Sequence, residues 1–243
     1  MTSEGHRRWI RVSHWTIVAS FLTLAVTGIL ILMVHPRLYW GEVGNDLVPA
    51  LLEIPISNNH QPEGWAKTTT FSEVPGSPIS ADRTYRIFNQ NGWGRSLHFL
   101  AAWFLVATGL VYVLAGLVGG HIRQNLLPKV KDLSPGSLVQ DARDHLRPGG
   151  NVGGGPPYGA VQKVAYAGVV FVALPLMLLT GLTMSPAVTA AVPVLLDVFG
   201  GYQSARTIHF FGFSALFLFL VIHVAMVFVT GAGRQLRAMI LGK

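Results

Sequence analysis

Two histidines inside one apolar stretch are where this sequence first offers chemistry. Residues 206–230 read RTIHFFGFSALFLFLVIHVAMVFVT, with His209 and His223 fourteen positions apart. Fourteen steps of about 100° fall roughly 40° short of four turns, so in a helix both imidazoles leave the same face, about 21 Å apart along the axis. Ser214 and Thr230 can return a hydroxyl to the backbone, but an imidazole in hydrocarbon needs partners for its nitrogens. Metal ions, haem iron included, are the partners that histidine most often takes. A single histidine in an apolar helix is more often a packed core residue. Two on one face turn the question to whether the rest of the chain supplies two more ligands.

The elements that must hold them are hydrophobic. A mean hydropathy of +0.46 with only 12% charged residues does not make a soluble surface. The absence of cysteine excludes disulfides, iron–sulfur clusters, thiolate-ligated haem and covalent haem attachment. The net charge of +7 sits in segments flanking apolar spans, a pattern of membrane orientation and not of nucleic-acid binding. Spans at about 14–34, 96–118, 164–184 and 206–230 predict an all-α integral membrane four-helix bundle, one domain over residues 1–243, with a long periplasmic loop between helices 1 and 2. The first apolar segment lacks a small-residue cleavage site and reads as a retained helix. In the 37–94 loop, LVPALLEIPI (47–56) reads as a short interfacial helix and LYWGEVGN (38–45) as a packed turn. The second connection, 119–162, ends in a flexible GGNVGGGPP tract (149–157). Pro175 should kink the third span. Lys/Arg placement puts both termini in the cytoplasm of a bacterial inner membrane protein.

Topology gives each histidine a depth. His14 begins span one from inside and His223 ends span four near the inside, whereas His98 and His209 begin spans two and four from outside. The match in depth yields two bis-histidine haem b sites, His14 with His223 and His98 with His209. Arg11, Arg95 and Arg206 each precede one of these histidines by three residues. Each lies one turn nearer the aqueous boundary, where a guanidinium meets a haem propionate or simply snorkels to the interface. Gly28, Gly109 and Gly212 admit either a porphyrin or a close helix neighbour. His121, before Arg123, could serve a quinone head group or be a solvated loop residue, and His35 has the same two readings. His6, His60 and His145 read as loop residues.

With R-x-x-H-W at Arg11 to Trp15, G-R-S-L-H at Gly94 to His98 and the His209/His223 pair in place, the chain resembles the bacterial di-haem cytochrome b family. That family comprises the membrane subunits of nickel–iron hydrogenases, formate dehydrogenases and thiosulfate reductase-type complexes. LYWGEVGN, GHIRQNLLP and LTGLTMSPAVTAA look most like the thiosulfate reductase cytochrome b branch. Several relatives have a fifth helix, which the region after Pro186 does not supply. The resemblance implies ligand roles for His14, His98, His209 and His223, and a periplasmic molybdopterin oxidoreductase as partner. It also implies a quinone site, with cytoplasmic-side candidates His121, Arg123, Asn125, Tyr158 and Gln162. The expected function is electron transfer through two haems between that partner and the quinone pool. Two rival readings are a stand-alone superoxide:ubiquinone oxidoreductase of the same family and a haem-free transporter whose histidines relay protons.

Overall fold

Long apolar runs without charge form helices here because, in hydrocarbon, only a helix satisfies every backbone N–H and C=O within one segment. The computed structural model describes residues 7–45, 48–54, 91–146 and 159–242. It is all-α, of the membrane helical bundle class, with four helices long and apolar enough to cross a membrane: α1 (Arg8–Leu32), α2 (Asn91–Val118), α4 (Ala160–Thr183) and α7 (Tyr202–Val229). Each lies within a few residues of its expected span. Apolar side chains such as Leu100, Trp103, Val111 and Phe228 are exposed along them, as lipid-facing residues must be. The buried set is instead rich in small hydroxyls: Ser13, Ser20, Thr27, Thr180, Thr183, Ser204 and Thr207. Such residues let helix backbones approach closely, and their hydroxyls find partners in neighbouring carbonyls.

Three expectations need correction. The connection after α2 is not merely a loop: it contains a π-helical turn (Ile122–Leu126), a 3-10 turn (Val130–Leu133) and helix α3 (Pro135–Leu146). The interfacial helix expected over 47–56 is absent from the described residues 48–54. Instead Leu52–Glu53 (β2) pairs antiparallel with Arg37–Leu38 (β1), because the Arg37 Nε to Glu53 Oε1 ion pair at 3.0 Å ties the two strands. Pro49 and Pro55 also disfavour a helix there. Finally, past the last expected span, 206–230, a short amphipathic helix, α8 (Ala232–Ile240), follows α7. The sequence around Pro175 behaves as anticipated in kind: the backbone widens into a π-helical turn at Val169–Ala173, which accommodates the missing N–H. After Pro186 come two helices of six residues, α5 (Pro186–Ala191) and α6 (Val194–Phe199), far too short to span. The glycine-rich tract at 149–157 lies outside the described residues.

The chain divides into two compact units, one of Met1–His14, Thr108–Met177 and Ser214–Lys243, the other of Trp15–Ala107 and Leu178–Phe213. In the first, the connection between spans is tied to the start of α4. Asp132 accepts from Lys163 Nζ at 3.2 Å, both side chains nearly buried, and Asp141 accepts from the Val161 N–H at 2.9 Å. In the second, residues 35–42 lie along the start of α7. The Arg206 guanidinium donates to the carbonyls of His35 and Arg37, Thr207 Oγ1 donates to the Tyr39 carbonyl at 2.6 Å, and Gly41 accepts from the N–H groups of Gln203 and Ser204. Tyr39, expected in a packed turn, is fully buried there.

Gly201 is where this junction is tightest. Its φ is +107°, and a Cβ would stand 2.6 Å from the Gly41 carbonyl carbon. Gly201→Ala should therefore cost about 1–3 kcal/mol through backbone strain and displacement of the 35–42 segment. Thermal unfolding in detergent would show it as a lowered midpoint. Gly92→Ala, with open space around it, should leave the midpoint unchanged.

Candidate functional site

His14 on α1 and His223 on α7 belong to one unit, their ring centroids 6.4 Å apart and their planes inclined by 53°. That spacing tests whether an iron fits between them. An imidazole nitrogen lies about 1.1 Å from its ring centre and a metal–imidazole bond is about 2.0 Å, so rings gripping one ion from opposite sides hold centroids roughly 6.2 Å apart. The residues fit. Each ring can turn about its bond to the metal, so the inclination imposes no further condition. His223 is stacked on Phe219, one turn earlier on α7, at 5.9 Å and 17°, and meets Tyr166 of α4 edge-on at 6.5 Å. These rings restrict how the imidazole can rotate, and neither had been anticipated. Phe219 was visible in principle, since residues four apart share a helix face.

Arg11, one turn before His14, donates from Nη1 to the Ile240 carbonyl at 2.8 Å, which anchors the last turn of α8. Its Nε is buried and finds no hydrogen-bond partner among the described residues. A cationic donor held in that state, one turn from a candidate ligand, suits a carboxylate such as a haem propionate.

His98 on α2 and His209 on α7 lie in the other unit, and each is held by the same device. His98 Nδ1 is 2.9 Å from Thr27 Oγ1, and His209 Nδ1 is 2.9 Å from Thr180 Oγ1. Both threonines are fully buried. The next residue in each case is glycine. A Cβ on Gly28 would lie 3.5 Å from His98 Cε1, and one on Gly181 would lie 3.6 Å from His209 Cε1. Both glycines thus face the Cε1 side of an imidazole, where a Cβ would come into ordinary van der Waals contact. Gly109 has open space around it.

The Thr27 hydroxyl carries one proton, and its 2.7 Å bond to the Thr23 carbonyl uses it. With its proton on that carbonyl the hydroxyl would accept from His98, Nδ1 would carry the hydrogen and Nε2 the lone pair. That is the tautomer a metal requires.

The remaining candidates are dispersed. Arg206 spends its terminal nitrogens on the carbonyls of the 35–42 segment, and Arg95 is exposed at the start of α2. His35 packs against Tyr39, its Nε2 3.2 Å from the phenolic oxygen. His121 sits among the rings of Trp9 and Tyr112, with centroids 6.0 Å and 6.4 Å away. Arg123 is exposed on the π-helical turn, and the Gln162 side chain accepts from the Gly159 N–H at 3.3 Å to cap its own helix. Tyr158 and the Asn125 side chain lie outside what is described. Among the described residues no group of three or more His, Asp or Glu side chains converges.

Comparison with known proteins adds a family. Residues 5–242 match the family model described as prokaryotic cytochrome b561. Over 237 residues, 98% of this chain and 96% of the other, the sequence is 28% identical to a protein of Azospira oryzae named putative protein-methionine-sulfoxide reductase subunit YedZ1. No solved structure matches the chain.

The Arg11 anchor makes a prediction independent of any cofactor. Arg11→Gln should accelerate amide hydrogen exchange at the end of α8 several-fold, whereas Arg8→Gln should not; equal protection in both variants would show that the Ile240 bond holds nothing.

Proposed function

We propose that this chain, which belongs to the prokaryotic cytochrome b561 family, is the membrane electron-transfer subunit of a periplasmic oxidoreductase. It would hold two b-type haems, one between His14 and His223 and one between His98 and His209. The observation that carries the reading is the His14–His223 ring spacing of 6.4 Å, the distance that two imidazoles need to share one iron. A bound haem supplies a one-electron couple at its iron, with no atom transferred. The chain's own residues supply the rest. His14, His98, His209 and His223 would hold the iron, and Arg11 would offer its buried Nε to a carboxylate, on spans apolar enough to cross a membrane.

The name of the Azospira oryzae relative supports a partner that reduces protein methionine sulfoxide. Reduction of a sulfoxide to a sulfide consumes two electrons and two protons and releases water. Oxidation of a quinol releases two electrons and two protons. The chain would thus pass electrons one at a time from the quinone pool to the partner, for which a molybdopterin cofactor is the expected two-electron acceptor. The distribution of Lys and Arg supports cytoplasmic termini, with the partner on the side of the 37–94 loop. Of the quinone candidates, His121 is best placed, since Trp9 and Tyr112 pack beside a group able to carry a proton.

Haem stoichiometry with single substitutions tests the pairing. Reduced-minus-oxidised spectra of the purified protein should show two b-type components. His14→Ala and His223→Ala should abolish one of them, and His98→Ala and His209→Ala the other. Losses grouped in any other way would refute the pairing, and a colourless wild-type protein would refute the function.

A further inference from the structure

We propose that Thr27 and Thr180 are the positioning residues of His98 and His209: by accepting from Nδ1–H they fix the tautomer and the ring angle, and they make both imidazoles more basic axial ligands. The inference rests on the ligand roles proposed above. It begins from a repetition in the sequence, VTGIL at 26–30 and LTGLT at 179–183. Neither helix that carries these segments supplies a ligand to this pair, yet each places a Thr-Gly couple against one imidazole. The geometry is the same twice: Oγ1 to Nδ1 at 2.9 Å, and a glycine Cα facing Cε1 with room for little more than a methyl group.

Three observations separate this from ordinary hydroxyl packing. First, the Thr27 hydroxyl lies 2.7 Å from the Thr23 carbonyl, which can only accept and so favours the hydroxyl as acceptor towards the ring. Secondly, the other buried threonines do not do this: Thr183 donates to the Leu179 carbonyl and Thr207 to the Tyr39 carbonyl. Thirdly, the β-branch of threonine restricts χ1 in a helix, so the acceptor is held in place before any ligand arrives. An acceptor on Nδ1–H raises the donor strength of Nε2, which favours ferric over ferrous iron and lowers the potential of that site.

Full-length protein in detergent tests this by redox titration, low-spin electron paramagnetic resonance and 15N spectra of labelled histidine. Thr27→Val and Thr180→Val should raise the midpoint and alter the g-values of one and the same haem, leaving the other unchanged. Thr27→Ser and Thr180→Ser should restore both signals, and Thr183→Val should match the wild type. If a valine variant loses that haem, retention with wild-type signals in the serine variant still shows that the hydroxyl, not the shape, is required. Unchanged midpoints in both valine variants, shifts falling on different haems, or failure of serine to restore would overturn the proposal. A wild-type protein without haem would defeat the function proposed above. The 15N spectra would still decide the present point, since a His98 protonated on Nε2 alone contradicts it.

Discussion

An imidazole within hydrocarbon has two nitrogens and no water, so each nitrogen must be met by the protein or by something the protein binds. At His98 and His209 the protein meets Nδ1 with a threonine hydroxyl and sets a glycine against Cε1. Much else in the fold follows from the same scarcity of water. The buried residues are mostly small hydroxyls, and Thr183 and Ser204, like Thr27, return their protons to carbonyls one turn earlier. A larger apolar residue in those positions would have gained nothing, because lipid is as apolar as the helix interior.

The segment that follows α1 obeys the rule in another form. Residues 35–42 have no regular structure except at β1, so their backbone groups need partners from elsewhere. The start of α7 provides them, since its first N–H groups need acceptors as much as the segment's carbonyls need donors. Gly41 accepts from Gln203 and Ser204, the Glu42 carboxylate accepts from the Tyr202 N–H, and Arg206 spans two carbonyls. Arg206 therefore serves as a clamp. Its place three residues before His209 suited a propionate equally well in one dimension, and only the return of the chain over α7 distinguishes the two uses.

How far the sequence could be read depended on whether the signal was periodic along one helix. The four spans, their histidines and the fourteen-residue interval on α7 are one-dimensional patterns, and they survive folding. Thr27 and Thr180 are not readable in that way: threonines are common in membrane helices, and nothing along α1 or α4 says that an imidazole from another helix will stand opposite. The repeated Thr-Gly was the available signal, and it needed a partner to acquire meaning. The β1–β2 pairing was missed for a similar reason, since Arg37 and Glu53 are sixteen residues apart and joined by no local pattern. α8 was missed because its apolar arc, Leu236, Met239 and Ile240, is short, and because one long-range bond from Arg11 holds its end.

The two histidine pairs are held by different means, and the difference has a physical consequence. His98 and His209 meet hydroxyl oxygens, which constrain rotation and also feed electron density into the ring. His223 meets the faces and edges of Phe219 and Tyr166, which constrain rotation by contact alone. Ring contacts thus orient one imidazole, while a threonine hydroxyl stands at Nδ1 of two others. The two proposed ligand pairs have the same chemistry and share only α7, so what surrounds each pair matters to how they differ. Those surroundings differ, at residues of α1, α4 and α7 that touch the histidines.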